Sequence, residues 1–291
     1  MPDRYVYSED SNGEDVYWER VVEANTEKLE EVVLEEGITN IGEKYIYRHG
    51  NSYKSIKMIE IPDTVTKIGE AAFLNCSNLK VSTDLSNIEE YGSDAFYGCK
   101  NLSSISVASG NAIYDSRNNC NAIIKTATNT LILGCKNTNI PNNGTSIDDF
   151  AFSNCSGLTS ITIPNCVMSI GESAFEGCSG LTSVTIGNSV TSIGSSAFSG
   201  TAWYDNQPDG LIYAGKVAYK YKGTMPNNTN IKIQDGTTEI SGSAFGGCSG
   251  LTSIVLDSGN QYYDSRNDCN AIIETATNTL IIGCQKESGY W

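Results

Sequence analysis

Histidine occurs once in 291 residues, proline six times, tryptophan three times, and charged side chains make up only 18% of the chain. One histidine, His49 in "YRHGNSY", has no paired nucleophile around it, so acid–base or nucleophilic catalysis built on imidazole finds no support. His49 reads as a surface-loop residue. No run of 18 apolar residues exists, which argues against a membrane-spanning helix. The opening "MPDRYVYSEDSNG" lacks the apolar core of a secretory leader, so a leader was either removed or never used. Basic residues are outnumbered 19 to 34, giving a net charge of −15. That field repels phosphate backbones and argues against nucleic-acid partners. The first 36 residues concentrate the imbalance, with 12 acidic and 3 basic side chains. No C-x-x-C pair, phosphate loop, dinucleotide fingerprint or nucleophile elbow is present. No cofactor and no metal are expected.

What the chain has in quantity is glycine, serine, threonine, asparagine and a repeat. Alanine-phenylalanine pairs end at Phe73, Phe96, Phe152, Phe175, Phe198 and Phe245, separated by 23, 56, 23, 23 and 47 residues. One 23-residue unit recurs, with two insertions. The unit after Cys155 runs through Leu158, Ile161, Ile163, Val167, Ile170, Gly171, Ala174 and Phe175. The next repeats it with Leu181, Val184, Ile186, Val190, Ile193, Gly194, Ala197 and Phe198. Degenerate copies precede them, from Leu29 to Gly42 and from Ile56 to Gly69.

The pattern L-x-x-[IV]-x-[IL] predicts a short strand with alternate residues buried. Gly171 and its equivalents are expected at a turn. "GESAFEGC" is expected to form a short helical turn that puts Phe175 and Cys178 on one face. A single coil cannot bury its own apolar side, but stacked coils can, by pairing strands about 4.8 Å apart.

"LTSITIPNCVMSIGESAFEGCSG" and its copies resemble the BspA-type leucine-rich repeat family over most of residues 29–260. That resemblance implies a β-rich solenoid of the α/β class: curved and right-handed, with 23-residue coils, a parallel concave sheet and short helical turns on the convex side. It also implies a surface or secreted protein that adheres to host proteins or to other cells.

Three segments interrupt or end the repeat. Residues 109–135, "SGNAIYDSRNNCNAIIKTATNTLILGC", and 258–284, "SGNQYYDSRNDCNAIIETATNTLIIGC", are near copies and read as β-hairpins. A turn centred on Ala127–Thr128 would set Cys120 opposite Cys135, and the same register would set Cys269 opposite Cys284. Those pairs are either disulfides in an oxidising compartment or free buried thiols. Residues 203–224 read as another hairpin, Leu211–Tyr213 against Val217–Tyr221 around Gly215. The domain plan is an acidic hairpin cap over 1–28, the solenoid over 29–260 with insertions near 108–140 and 203–224, and a C-terminal hairpin over 261–291, ending in Tyr290 and Trp291. That last piece is either a cap or a cut repeat.

The repeat cysteines Cys76, Cys99, Cys155, Cys178 and Cys248 share one position with Thr201. Exchange with threonine points to a demand for a small side chain rather than for thiol chemistry. In-register stacking near 4.8 Å also exceeds the roughly 3.5–4.5 Å that disulfide Cβ atoms need. Cys166 stands where Ser189 stands in the next unit and is incidental. "DSRNNC" and "DSRNDC" fail the calcium-loop pattern, because Arg117 or Arg266 takes the third place and cysteine the sixth. They read as turns entering the hairpins. Trp203, Tyr204, Tyr262 and Tyr263 are either a sugar-stacking platform or packing at the hairpin bases.

With chemistry set aside, the expected working surface is a hydroxyl-rich strip between the buried strand positions. It comprises Ser103, Ser104, Ser106, Thr159, Ser160, Thr162, Thr182, Ser183, Thr185, Thr252 and Ser253, with Val255 at its end. Such faces commonly bind extended partners. The leading expectation is a non-enzymatic module that binds a protein or glycan at a bacterial cell surface. A phage virion protein with the same repeats and a glycan-active enzyme are the alternatives. The enzyme would need a carboxylate pair that the repeat does not single out.

Overall fold

The computed structural model describes residues 4–7, 31–34, 37–42, 54–81, 85–144, 146–256, 259–266 and 270–284. His49, Cys269, Tyr290 and Trp291, and the expected hairpin partner of residues 4–7, lie outside them.

The chain winds into a β-solenoid with almost no helix. Each regular coil contributes two parallel strands. The first is the predicted one: Ser160–Ile163 pairs with Ser183–Ile186, matching Ser160 to Ser183 and Thr162 to Thr185. Its burial alternates, exposed at Ser160 and Thr162 and buried at Ile161 and Ile163. The second strand has two residues, at Ser146–Ile147, Ser169–Ile170 and Ser192–Ile193, again paired in register. The repeat pattern in the sequence does not reveal this second ladder. Two residues are too few to show a period, and a small polar residue beside isoleucine is no strand signature.

The third side of each coil corrects the expectation of a helical turn. "GESAFEGC" forms tight turns. Ser173 and Gly177 have φ of 51° and 69°, values that no right-handed helix accommodates. Those reversals aim alternate amides at the neighbouring coil. Ser173, Phe175 and Gly177 donate to the carbonyls of Ser195, Ala197 and Ser199 at 2.8–2.9 Å. Glu176 and Cys178 close local turns onto Ser173 and Phe175. The turn side is therefore hydrogen-bonded from coil to coil, as the strands are. Among the described residues the α-helix is a single turn, Ala202–Asp205, in which the Thr201 hydroxyl caps the Tyr204 amide.

Gly171 has a different role from the one its position suggested. Its φ is ordinary, but a Cβ there would lie 2.5 Å from the Asp149 backbone nitrogen of the preceding coil. Gly92 and Gly194 meet preceding coils in the same way. This column holds glycine so that adjacent turns can touch.

The phenylalanines stack as a ladder. Ring centroids lie 4.8 Å apart for Phe152–Phe175, 5.3 Å for Phe175–Phe198 and 4.8 Å for Phe73–Phe96. All of these rings are buried, each contributing about 1.5–3 kcal/mol by burial alone.

The three hairpins form at Ala122–Lys125 with Thr130–Gly134, Gly210–Ala214 with Val217–Lys222, and Ala271–Glu274 with Thr279–Gly283. The first two serve as rungs of the short-strand ladder, since Leu131 pairs with Ile147 and Ala218 with Ile240. The long-strand ladder is cut in exchange: no strand forms over 103–107. At the N-terminal end Arg4–Tyr7 pairs with Glu31–Leu34 in parallel. It adds a rung of solenoid type.

Candidate binding surface

The structure gathers six of the expected strip residues. Thr159, Ser160 and Thr162 lie beside Thr182, Ser183 and Thr185, all exposed. Ser160 and Thr162 face Ser183 and Thr185 across the parallel pair, so their hydroxyls form two columns. Thr182 Oγ1 donates to the Thr159 carbonyl at 3.2 Å, which fixes that corner. Beneath the patch, Ile161, Ile163 and Leu181 are buried. The arrangement is a small, uncharged, hydroxyl-rich face on a rigid base.

The other members are set apart. Ser104 donates to Asn121 Oδ1 at 3.4 Å, inside the first insertion, and Ser106 is half-buried. Asn137, also from the insertion, donates to the Ser103 carbonyl at 3.0 Å. Thr252 and Ser253 belong to Leu251–Leu256, which pairs with Thr229–Ile233 after the second insertion. Thr252 is tied to the Thr229 carbonyl at 3.2 Å.

In the first hairpin the cysteines do not oppose each other as expected, while Cys269 of the second lies outside the described residues. A bulge between Leu131 and Leu133 shifts the register by one, setting Gly134 against Ala122. That carries Cys135 onto Asn121, whose carbonyl its thiol contacts at 3.4 Å. Cys120, Cys135 and Cys284 are free thiols. The repeat cysteines take the small-residue role. Cys178 donates to the Phe152 carbonyl at 3.0 Å and Cys99 to the Phe73 carbonyl at 3.2 Å. Burial pushes the Cys76 and Cys155 thiols up to about 12, and Cys178 further in the same direction. Such thiols stay neutral and are poor nucleophiles. Among the described residues no group of three histidine, cysteine or carboxylate side chains is placed to hold a metal.

The aromatic platform is not assembled. Trp203 packs on Phe198 at 4.9 Å and Tyr204 meets Tyr219 edge-on at 6.1 Å. Tyr263 is buried and its hydroxyl accepts from the Ile240 amide at 3.3 Å, while Tyr262 is exposed. The "DSRN" motif has a role that the calcium comparison did not show. Arg117 binds Asp115 through Nε and Nη2 and reaches Asn129 Oδ1 at 2.8 Å, locking the hairpin tip to its base. Arg266 repeats this with Asp264 and Asn278. An arginine two residues after an aspartate and twelve before an asparagine, present in both copies, was the available signal.

Stacked short coils, two runs of stacked phenylalanines and inserted hairpins define a leucine-rich repeat solenoid. The chain belongs to the BspA-type leucine-rich repeat family, whose model matches residues 24–123, 122–225 and 215–277. It is similar to a leucine-rich cell surface protein from Faecalibacterium prausnitzii A2-165, with 26% identity and a TM-score of 0.50 over 80% of this chain and 55% of that one. A leucine-rich repeat protein from Bacteroides ovatus matches at 23% identity and a TM-score of 0.41, over 76% of this chain and 59% of that one. The chain thus spans little more than half the length of either protein. No curated protein matches it significantly. No helix among the described residues is long and apolar enough to cross a membrane.

Proposed function

We propose that the chain is a non-enzymatic binding module that works at a bacterial cell surface and grips an extended protein or glycan. The observation behind this is the paired hydroxyl patch of Thr159, Ser160, Thr162, Thr182, Ser183 and Thr185, exposed on a buried, in-register base. Its hydroxyls offer acceptors at fixed spacing and, apart from Thr182, whose donor goes to the Thr159 carbonyl, donors as well, with no charge to neutralise. The cell-surface placement draws on family membership and on the F. prausnitzii relative.

The test is capture of host matrix proteins, cell-surface proteins and a glycan panel by the purified chain, beside a Thr162→Arg, Thr185→Arg variant. Both side chains are exposed, so the fold should survive. Specific capture that drops about tenfold or more in the variant supports the reading. Capture that the variant leaves unchanged, or none above background, overturns it.

A further inference from the structure

Where the first insertion enters, the turn side of the solenoid parts. The ring ladder runs from Phe73 to Phe96, and a second run starts at Phe152. Between them lies a cleft of about 450 Å³ with Ser93, Asp94 and Phe96 on one wall and Asp149, Phe150 and Ser153 on the other.

The backbone of the first wall is the key. Within each uninterrupted pair of coils, three alternate amides cross to three carbonyls. Ala71, Phe73 and Asn75 donate to Ser93, Ala95 and Tyr97, and Phe150, Phe152 and Asn154 donate to Glu172, Ala174 and Glu176. Asp94, Phe96 and Gly98 are the next such row, and Asp94 and Gly98 share the positive φ of Ala71 and Asn75. Yet among the described residues none of these three amides has a hydrogen-bond partner. The carbonyl of Ala151, where the Phe96 amide would go, is taken by Gly134 of the hairpin at 2.9 Å. Gly134 also lies against the Phe152 ring, where a Cβ would fall 2.0 Å from Cε1.

The second insertion meets the same problem and caps the central amide of its row. There the Phe198 amide donates to the Tyr219 hydroxyl at 3.0 Å, and Trp203 covers the Phe198 ring. The first insertion supplies neither group to Phe96. An unmet amide beside an open cleft is a costly feature that a ligand oxygen removes.

We infer that this cleft is a peptide-binding groove: an extended segment of a partner protein lays alternate carbonyls on the amides of Asp94 and Phe96, as the next coil would. The mode is backbone addition to an open edge, with side chains giving specificity. An aromatic side chain of the partner enters the cleft where Phe96, stacked on Tyr91 at 6.3 Å, and Phe152 both line it. Asp94, Asp148 and Asp149 line the cleft against a single basic side chain, Lys125. The flanks of the peptide are therefore basic. This inference does not depend on the hydroxyl patch, which lies on the long strands.

The probe is a fluorescent peptide, KKSAFSGKK, built on the chain's own turn sequence "SAFSG" with basic flanks. Controls are KKSAASGKK and the all-D form of the probe, which keep the charge. Binding is followed by anisotropy, and amide exchange by NMR. The expected result is saturable binding that weakens about tenfold or more with either control. Exchange should slow at Asp94 and Phe96, with Ala71, Phe73 and Asn75 unchanged. Ser93→Trp, which fills the cleft from an exposed position, should abolish binding while leaving the thermal melt intact. Equal binding of all three peptides would mean charge attraction alone and overturn the inference. So would no binding at about 1 mM peptide, or protection that appears elsewhere.

Discussion

Cys178 donates its thiol to the carbonyl of Phe152 in the previous coil and has no exposed surface. Thr201, at the same repeat position, instead turns its hydroxyl to the Phe198 carbonyl and to the Tyr204 amide, where it caps the helical turn. Both are small groups that satisfy a buried carbonyl, so the position selects size and one weak donor. Two outcomes follow for the thiols. In the native state a thiol reagent should label Cys166, Cys248 and Cys284, which are part-exposed, well before Cys76, Cys99, Cys155 or Cys178. Rapid labelling of Cys178 would contradict its burial. The second outcome concerns pH. Burial raises the folded-state pKa of Cys76 and Cys155 from 9.0 to about 12, so the neutral thiol is favoured in the fold. Their contribution is complete below pH 9.0, because both states are then protonated. As pH rises through 9.0 toward about 12 the unfolded chain ionises first and stability is lost. Urea midpoints across that alkaline range should fall more steeply for the wild type than for a Cys76→Ala, Cys155→Ala variant. Parallel slopes would show that other groups drive the loss.

Within one coil, two glycine columns look alike in sequence and differ in physics. Gly171 sits at ordinary φ with the Asp149 backbone 2.5 Å from any added Cβ. Gly200 has φ of 68° but open space, its nearest neighbour being Gly177 at 3.5 Å. Asn75 and Asn154 occupy Gly200's column at φ of 61° and 59°. Gly200→Asn is therefore expected to cost less than about 1 kcal/mol, since asparagine tolerates the left-handed region. Gly171→Ala should cost about 1–3 kcal/mol, because backbone must move apart. Urea melts of the two variants decide it, and equal costs would remove the distinction between close approach and backbone conformation. Sequence spacing alone located the longer strand of each regular coil, the phenylalanine rungs and the hairpins, because each carries a recognisable apolar pattern. It did not show the turn geometry. Ser173 and Ser196 adopt positive φ where no glycine or asparagine marks it, and the Ser173 amide is held there by its bond to Ser195 of the next coil. Nor did it show the bulge after Leu131, which a count of residues between two cysteines cannot register. The hydroxyl strip was half legible: the alternation exposed Thr162 and Thr185, but the insertions decided which coils adjoin.

At the scale of the whole molecule, a solenoid's stability is a sum of local terms and nearest-neighbour interfaces. The two copied hairpins offer an internal comparison of that rule. Their sequences are nearly identical, "TATNTLILGC" against "TATNTLIIGC", and both are tied by the same arginine bridge. Their neighbours differ. Thr130–Gly134 is covered by Ser146–Ile147 of the following coil, and Leu131 is 3% exposed. Thr279–Gly283 pairs among the described strands only with its hairpin partner, and Leu280 is 62% exposed. Removing the same side chain from the same motif should then have unequal effects. Leu131→Ala is expected to cost about 2–5 kcal/mol, as a core truncation does. Leu280→Ala should stay within about 0.5 kcal/mol, as at an uncovered surface position. Urea melts of both variants, run at two protein concentrations about a hundredfold apart, carry the test. Equal costs at both concentrations would mean that the second hairpin is covered within the chain. A Leu280→Ala cost that grows with concentration would mean that this edge pairs with another molecule. The predicted inequality holds only if a coil is stabilised by its neighbour rather than by its own sequence.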